Sequence, residues 1–214
     1  MNRNKLMYLI GGLLLSSVML FAQSGYKKAT DAEKKEIIDK ITQASASMKS
    51  MKCDFTQIKE LSFMDDRVTS EGKMLFKSPD KIRWEYTRPY SYIFSMDGTH
   101  VRMSSGDNTK VPVKSSKLFN EISKVLIGGV SGTGLIDSPD FSTLFNTGKD
   151  SYQVVLTPQK KEVKALFSSI RLYVGKADSR IHTVELIEKS GDKTTIELKN
   201  VQLNATIQDD IFAR

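Results

Sequence analysis

One cysteine and two histidines stand in a chain of 214 residues, and both scarcities exclude chemistry. A single thiol cannot close an intramolecular disulfide or furnish a Cys-based zinc site. Two histidines far apart in sequence are poor material for a His-built metal centre. Internal repeats and low-complexity tracts are absent, and so are the nucleophile elbow, the zinc helix motif and the phosphate loop. Gly129 to Gly134 reads G-V-S-G-T-G, but it follows a helical pattern instead of a strand, so it reads as a loop and not as a dinucleotide fingerprint. The adjacent pairs Asp65-Asp66 and Asp209-Asp210 would face opposite ways on a strand, which suits turns better than paired-acid catalysis. The sequence does not advertise an enzyme, a cofactor or a metal.

What is present is the composition of a globular protein, with 39% hydrophobic and 27% charged residues and enough length for one domain with a substantial core. Arg3 and Lys5 precede an uncharged, mostly apolar run from Leu6 to Phe21, and Ala22 offers a small residue for cleavage. This is the pattern of a secretory signal peptide over residues 1–22. An uncleaved anchor is the alternative, because the run is near the short end of a membrane span. Loss of Arg3 and Lys5 takes the net charge from +7 to +5, leaving an exported, mildly basic domain over residues 23–214. Its lysines are interspersed with acids, and nucleic acid is an ill-suited partner outside the cytoplasm. The one basic grouping, Lys73, Lys77, Lys81, Arg83 and Arg88, suits an anionic membrane surface or an acidic protein, or else a solvated face. Cys53, beside Phe55, is expected to be a buried free thiol.

Periodicity gives the elements. Ile37, Ile41, Ala44, Met48 and Met51 fall in 4-3-4-3 steps, with Ile38 alongside, and predict an amphipathic helix capped by Thr30 or Asp31. After Cys53 the period becomes that of strands. Met74 and Phe76 alternate with lysines, Pro79-Asp80 marks a turn, and Ile82, Trp84 and Tyr86 alternate with Arg83 and Glu85. Tyr92, Phe94 and Met96 lead to the Asp97-Gly98 turn. Helical spacing returns at Leu118, Phe119, Ile122, Val125 and Leu126, and Asp140 to Asn146 reads as one more short helical turn. Residues 152–157, 166–175, 181–188 and 194–203 are then rich in strand-forming residues. The order predicts an α+β domain built on one large antiparallel sheet. All six methionines after residue 22 lie in its first half, either as ordinary core or as a surface that fits variable apolar ligands.

The segments C-D-F-T-Q (Cys53 to Gln57) and G-K-M-L-F-K-S-P-D-K-I-R-W-E-Y-T-R-P (Gly72 to Pro89), followed by Met96-Asp97-Gly98, resemble the periplasmic outer-membrane lipoprotein carrier family, the LolA family. The resemblance continues weakly through Val154 to Pro158, Leu172-Tyr173-Val174, Ile181-His182 and Asp210-Ile211-Phe212. It implies an incomplete (half) β-barrel, a curved antiparallel sheet whose concave face is closed by an N-terminal helix and short helices. It implies a periplasmic chaperone that binds the acyl chains of lipoproteins released from the inner membrane and shuttles them to the outer membrane, as a monomer without catalysis or cofactor. Implied partners are acylated lipoproteins, an inner-membrane lipoprotein-releasing transporter and an outer-membrane receptor. The implied acyl-chain lining is Met74, Phe76, Ile82, Trp84, Tyr86, Phe94 and Met96 from strands, with Ile122, Val125 and Leu126 from the closing helices. Many members carry an arginine before the turn proline that latches the closed form; here Ser78 stands there, with Lys77 and Lys81 as candidate substitutes. A lipid- or lipoprotein-sensing regulatory module on the same fold is the alternative reading.

Overall fold

The computed structural model describes residues 25–63, 66–98, 100–105 and 138–213. Thr30 opens α1 (Asp31–Ala46) with a reciprocal capping box, in which its hydroxyl accepts from the Glu33 N–H and Glu33 accepts from the Thr30 N–H. The helix stops at Ala46, short of the periodic Met48 and Met51. Met51 belongs instead to the strand that follows, where it sits opposite Phe76.

Among the described residues, eleven strands form one antiparallel sheet. They are β1 (Lys27–Lys28), β2 (Ser50–Glu60), β3 (Arg67–Lys77), β4 (Lys81–Arg88), β5 (Tyr92–Asp97) and β6 (His100–Ser105), then β7 (Phe141–Thr147), β8 (Ser151–Pro158), β9 (Phe167–Gly175), β10 (Ile181–Glu188) and β11 (Lys193–Leu203). The spatial order is β1-β7-β8-β9-β10-β11-β2-β3-β4-β5-β6, so the sheet is open, with β1 and β6 at its edges. The β11–β2 pairing joins the two halves of the chain, from Lys193 opposite Glu60 to Leu203 opposite Met51. A four-residue helix, α2 (Lys161–Lys164), bridges β8 and β9 and buries Val163.

The short helical turn expected at Asp140 to Asn146 is instead strand β7. Phe141 and Phe145 lie four apart, which reads as helical, but seven consecutive pairs with β8 set the extended form, from Phe141 opposite Pro158 to Thr147 opposite Tyr152. The helix expected around Leu118 to Leu126 and the Gly129–Gly134 loop lie outside the described residues.

Alternation gives the sheet two unlike faces. The inner face contributes Met51, Cys53, Phe55, Met74, Phe76, Ile82, Trp84, Phe94, Met96 and their β7–β11 counterparts to one continuous core. Helix α1 covers part of this face with Ile37 and Ile41, both buried in the same core. The outer face is polar, except where the C-terminal segment folds back over β4 and β5 and buries Ile207 and Phe212. Lys77 and Lys81 clamp that segment through Asp209, at 2.9 and 3.2 Å, and Arg83 donates to the Ile211 carbonyl. These ion pairs hold the Asp209 carboxyl below its ordinary pKa.

Candidate functional site

The antiparallel register lines the inner face up in rows across β2–β5. One row is Met51, Phe76, Ile82 and Met96; the next is Cys53, Met74, Trp84 and Phe94; the third is Phe55, Gly72, Tyr86 and Tyr92. Every residue expected on the strands of the candidate lining falls in these rows. Met74, Phe76, Ile82, Trp84, Phe94 and Met96 are buried, and Tyr86 is partly buried against the same core. The expected helical members, Ile122, Val125 and Leu126, lie outside the described residues.

Methionine is concentrated here. Met51, Met74 and Met96 are buried, while Met48 and Met103 pack against the same core, which gives it adaptable side chains. Cys53 sits among them as a free thiol, and burial pushes its pKa up to about 12, so it is a packing residue and not a nucleophile.

Two further members of the constellation, Phe55 and Gln57, both lie in the C-D-F-T-Q segment and stand outside the expected lining. Phe55 stacks against Trp84 with ring centroids 4.6 Å apart and meets Tyr86 edge-on at 5.1 Å. Gln57 follows Phe55 on the same face, and its Oε1 accepts the Tyr86 hydroxyl proton at 2.8 Å. Gly72 makes this possible. It lies opposite Phe55 and leaves the space the ring occupies, since a Cβ there would stand 2.5 Å from the ring and 2.0 Å from the Glu85 carbonyl oxygen. Burial raises the Tyr86 phenol well above its ordinary pKa, so it is a neutral donor at any physiological pH.

The basic grouping is largely answered by the chain's own acids. Lys77 and Lys81 bond Asp209, Lys81 also bonds Asp97, Arg83 bonds Glu85, and Arg88 bonds Glu71. Lys77 and Lys81 therefore hold the C-terminal segment on the outer face. The same face carries a groove of about 740 Å³ beside Tyr26, Tyr173, Asp178, His182, Glu185 and Glu197. Polar groups in its walls are bonded to one another: Tyr173 donates to Glu185 at 2.8 Å, and His182 and Arg180 share Asp178. Among the described residues, no group of three or more His, Cys, Asp or Glu side chains is placed to hold a metal ion.

A family model described as "Outer membrane lipoprotein carrier protein LolA" matches residues 46–214. An outer-membrane lipoprotein carrier protein of Pseudomonas putida is 26% identical over 203 residues, covering 94% of this chain and 91% of its own length. One from Helicobacter hepaticus is 25% identical over 168 residues, or 78% of each chain. Among solved structures, a LolA superfamily protein from Nitrosomonas europaea superposes over 85% of this chain and 97% of its own, with a TM-score of 0.48 and 12% identity.

Proposed function

The chain belongs to the LolA family of outer-membrane lipoprotein carriers, and from that membership we propose that it binds the acyl chains of lipoproteins in the periplasm and shuttles them from the inner to the outer membrane. The observation that carries the proposal is the continuous apolar inner face of an open sheet, built from methionine and aromatic rows and covered in part by one helix. An open sheet can admit a ligand between itself and its cover without breaking strand pairs. In this reading residues 1–22 direct export and residues 23–214 are the carrier. Met74, Phe76, Ile82, Trp84, Tyr86, Phe94 and Met96 line the acyl site, with Ile122, Val125 and Leu126 completing it. The partners are acylated lipoproteins, a releasing transporter in the inner membrane and an acceptor at the outer membrane.

The energetics favour apolar chains. Each methylene moved from water into such a site contributes about 0.8 kcal/mol, and adaptable methionines let the site accept chains of differing length. The test is release. Purified protein is added with ATP to spheroplasts displaying newly made lipoprotein, and the supernatant is examined for acylated lipoprotein in a one-to-one complex. Release above the level given by an unrelated periplasmic protein supports the carrier. Absence of release, with free acyl chains still bound, would overturn shuttling and favour the lipid-sensing module.

A further inference from the structure

The inner face has a direction. The row Met51, Phe76, Ile82 and Met96 and the row Cys53, Met74, Trp84 and Phe94 contain a single nitrogen or oxygen among their side chains, the Trp84 indole Nε1. The next row adds the Tyr86 and Tyr92 hydroxyls, and Gln57 lies one step beyond Phe55 on the same face. Polarity thus rises along the strands, from the β3–β4 turn toward the β4–β5 turn.

Trp84 sits at the boundary. It is only 3% exposed, and its Nε1–H has no hydrogen-bond partner. The Tyr86 hydroxyl is its polar neighbour, and the Tyr86 proton goes to Gln57 Oε1. A buried donor without an acceptor is costly, and a phenylalanine would fill much the same space without that cost. The Gln57 amide nitrogen, with Oε1 occupied by Tyr86, brings two more donors to the same end. Trp84 and Gln57 therefore bring N–H donors to one end of the face, and the Tyr86 hydroxyl, bonded to Gln57, orients the amide beside a wall that is otherwise apolar.

We infer that Trp84 Nε1, Tyr86 and Gln57 form a subsite for the linkage carbonyls of the bound lipid, the ester and amide C=O groups that join its acyl chains to the head. The inference rests on the acyl-carrier reading and adds an orientation to it. The linkage lies at the Gln57–Tyr86 end, and the chain ends run toward Phe76 and Ile82. A ligand carbonyl supplies the acceptor that Trp84 lacks, so the site distinguishes acyl chains from hydrocarbon of equal length.

The test compares a diacylglyceryl lipopeptide carrying ester-linked chains with its dialkyl ether analogue of the same chain length. Affinities are read by displacement of a fluorescent fatty acid from the purified protein. The ester form should bind about tenfold more tightly than the ether form, the effect of one well-placed buried hydrogen bond. Trp84→Phe should bring that ratio close to one while ether binding persists. Because the chain holds one tryptophan, its fluorescence should also shift further on ester binding than on ether binding. A phosphatidylglycerol with the same ester-linked chains forms a third arm: binding weaker than the lipopeptide assigns the carbonyls to lipoprotein, and equal binding assigns them to diacyl lipids in general. Equal ester and ether affinities in the parent protein, or an unchanged ratio in Trp84→Phe, would overturn the subsite and leave the carrier standing. If neither lipid displaces the probe, the carrier reading itself falls. Tyr86→Phe serves as the second variant should Trp84→Phe melt early, and it should reduce the ratio without abolishing it.

Discussion

Replacing Gly72 with alanine puts a methyl carbon 2.0 Å from the Glu85 carbonyl oxygen and 2.5 Å from the Phe55 ring. Ordinary carbon contacts lie near 3.5–4.0 Å, so neither neighbour can stay where it is. The Glu85 oxygen is backbone, and moving it means separating β3 from β4 next to the register shift between Glu71 and Gly72. Rotating the Phe55 ring instead breaks its contacts with Trp84 and Tyr86. Overpacking of this kind costs roughly 1–3 kcal/mol, and each lost aromatic contact adds about 0.5–1.5 kcal/mol. The expected total is about 3 kcal/mol. For a domain of this size that lowers Tm by about 6–12 °C, read by calorimetry or by the single tryptophan in a urea titration. Phe55→Leu in the same background should recover part of the loss by vacating the ring position, while the carbonyl clash keeps recovery incomplete. A Gly72→Ala protein melting within about 2 °C of the parent would refute the close packing on which the aromatic constellation depends.

Two further predictions probe regions away from that contact. Cys53 carries a pKa raised from 9.0 to about 12, so above pH 9 the unfolded chain releases a proton that the folded chain retains. Stability should therefore fall as pH rises from about 9 toward 12, by up to about 1.4 kcal/mol per pH unit. Cys53→Ala should show a shallower fall in urea titrations across that range, and an identical slope would exclude the thiol as the cause. On the outer face, Phe212→Ala removes a fully buried ring and should cost about 3–5 kcal/mol if the C-terminal segment unfolds with the domain. Amide exchange over 207–213 should accelerate in step with the lowered Tm, and an unchanged Tm would mean that the segment is bound independently of the sheet.

Much of the architecture could be read from period alone. The last four strands fall within a residue of their expected limits, because each alternates cleanly and is bounded by turn residues such as Ser190-Gly191-Asp192. The errors have definite causes. Met48 and Met51 continue the helical stripe by spacing, but pairing of Ser50 with Lys77 and of Met51 with Phe76 draws that stretch into β2. Phe141 and Phe145 mimic a helical face, and their strand state depends on β8, whose position no local pattern reveals. The docking of Ile207 and Phe212 onto the outer face was equally invisible, since it needs Lys77, Lys81 and Arg83 brought together across two strands. The strand members of the candidate lining were legible because alternation assigns faces. The partnership of Gln57 with Tyr86 was not, because β3 lies between their strands and Gly72 must leave room for Phe55.

The packed state of the inner face bears directly on how a carrier could release what it binds. Phe55, Phe76, Trp84 and Phe94 are buried, and Ile37 and Ile41 of α1 share their core. At about 0.8 kcal/mol per methylene, a lipid with several long chains entering a preformed cavity would hardly leave. A site that must first part its own apolar contacts subtracts that loss from the gain, and net affinity becomes moderate. The methionines lower the cost of repacking without removing it, since a thioether chain finds new rotamers where a branched side chain would clash. On the proposed subsite the Trp84 donor, which has no partner here, acts in the opposite sense, because a lipid carbonyl would give it an acceptor. In that proposal apolar contacts within the face favour closure and the indole favours a bound carbonyl. The balance between the two would then set which lipids are kept and how readily they are given up.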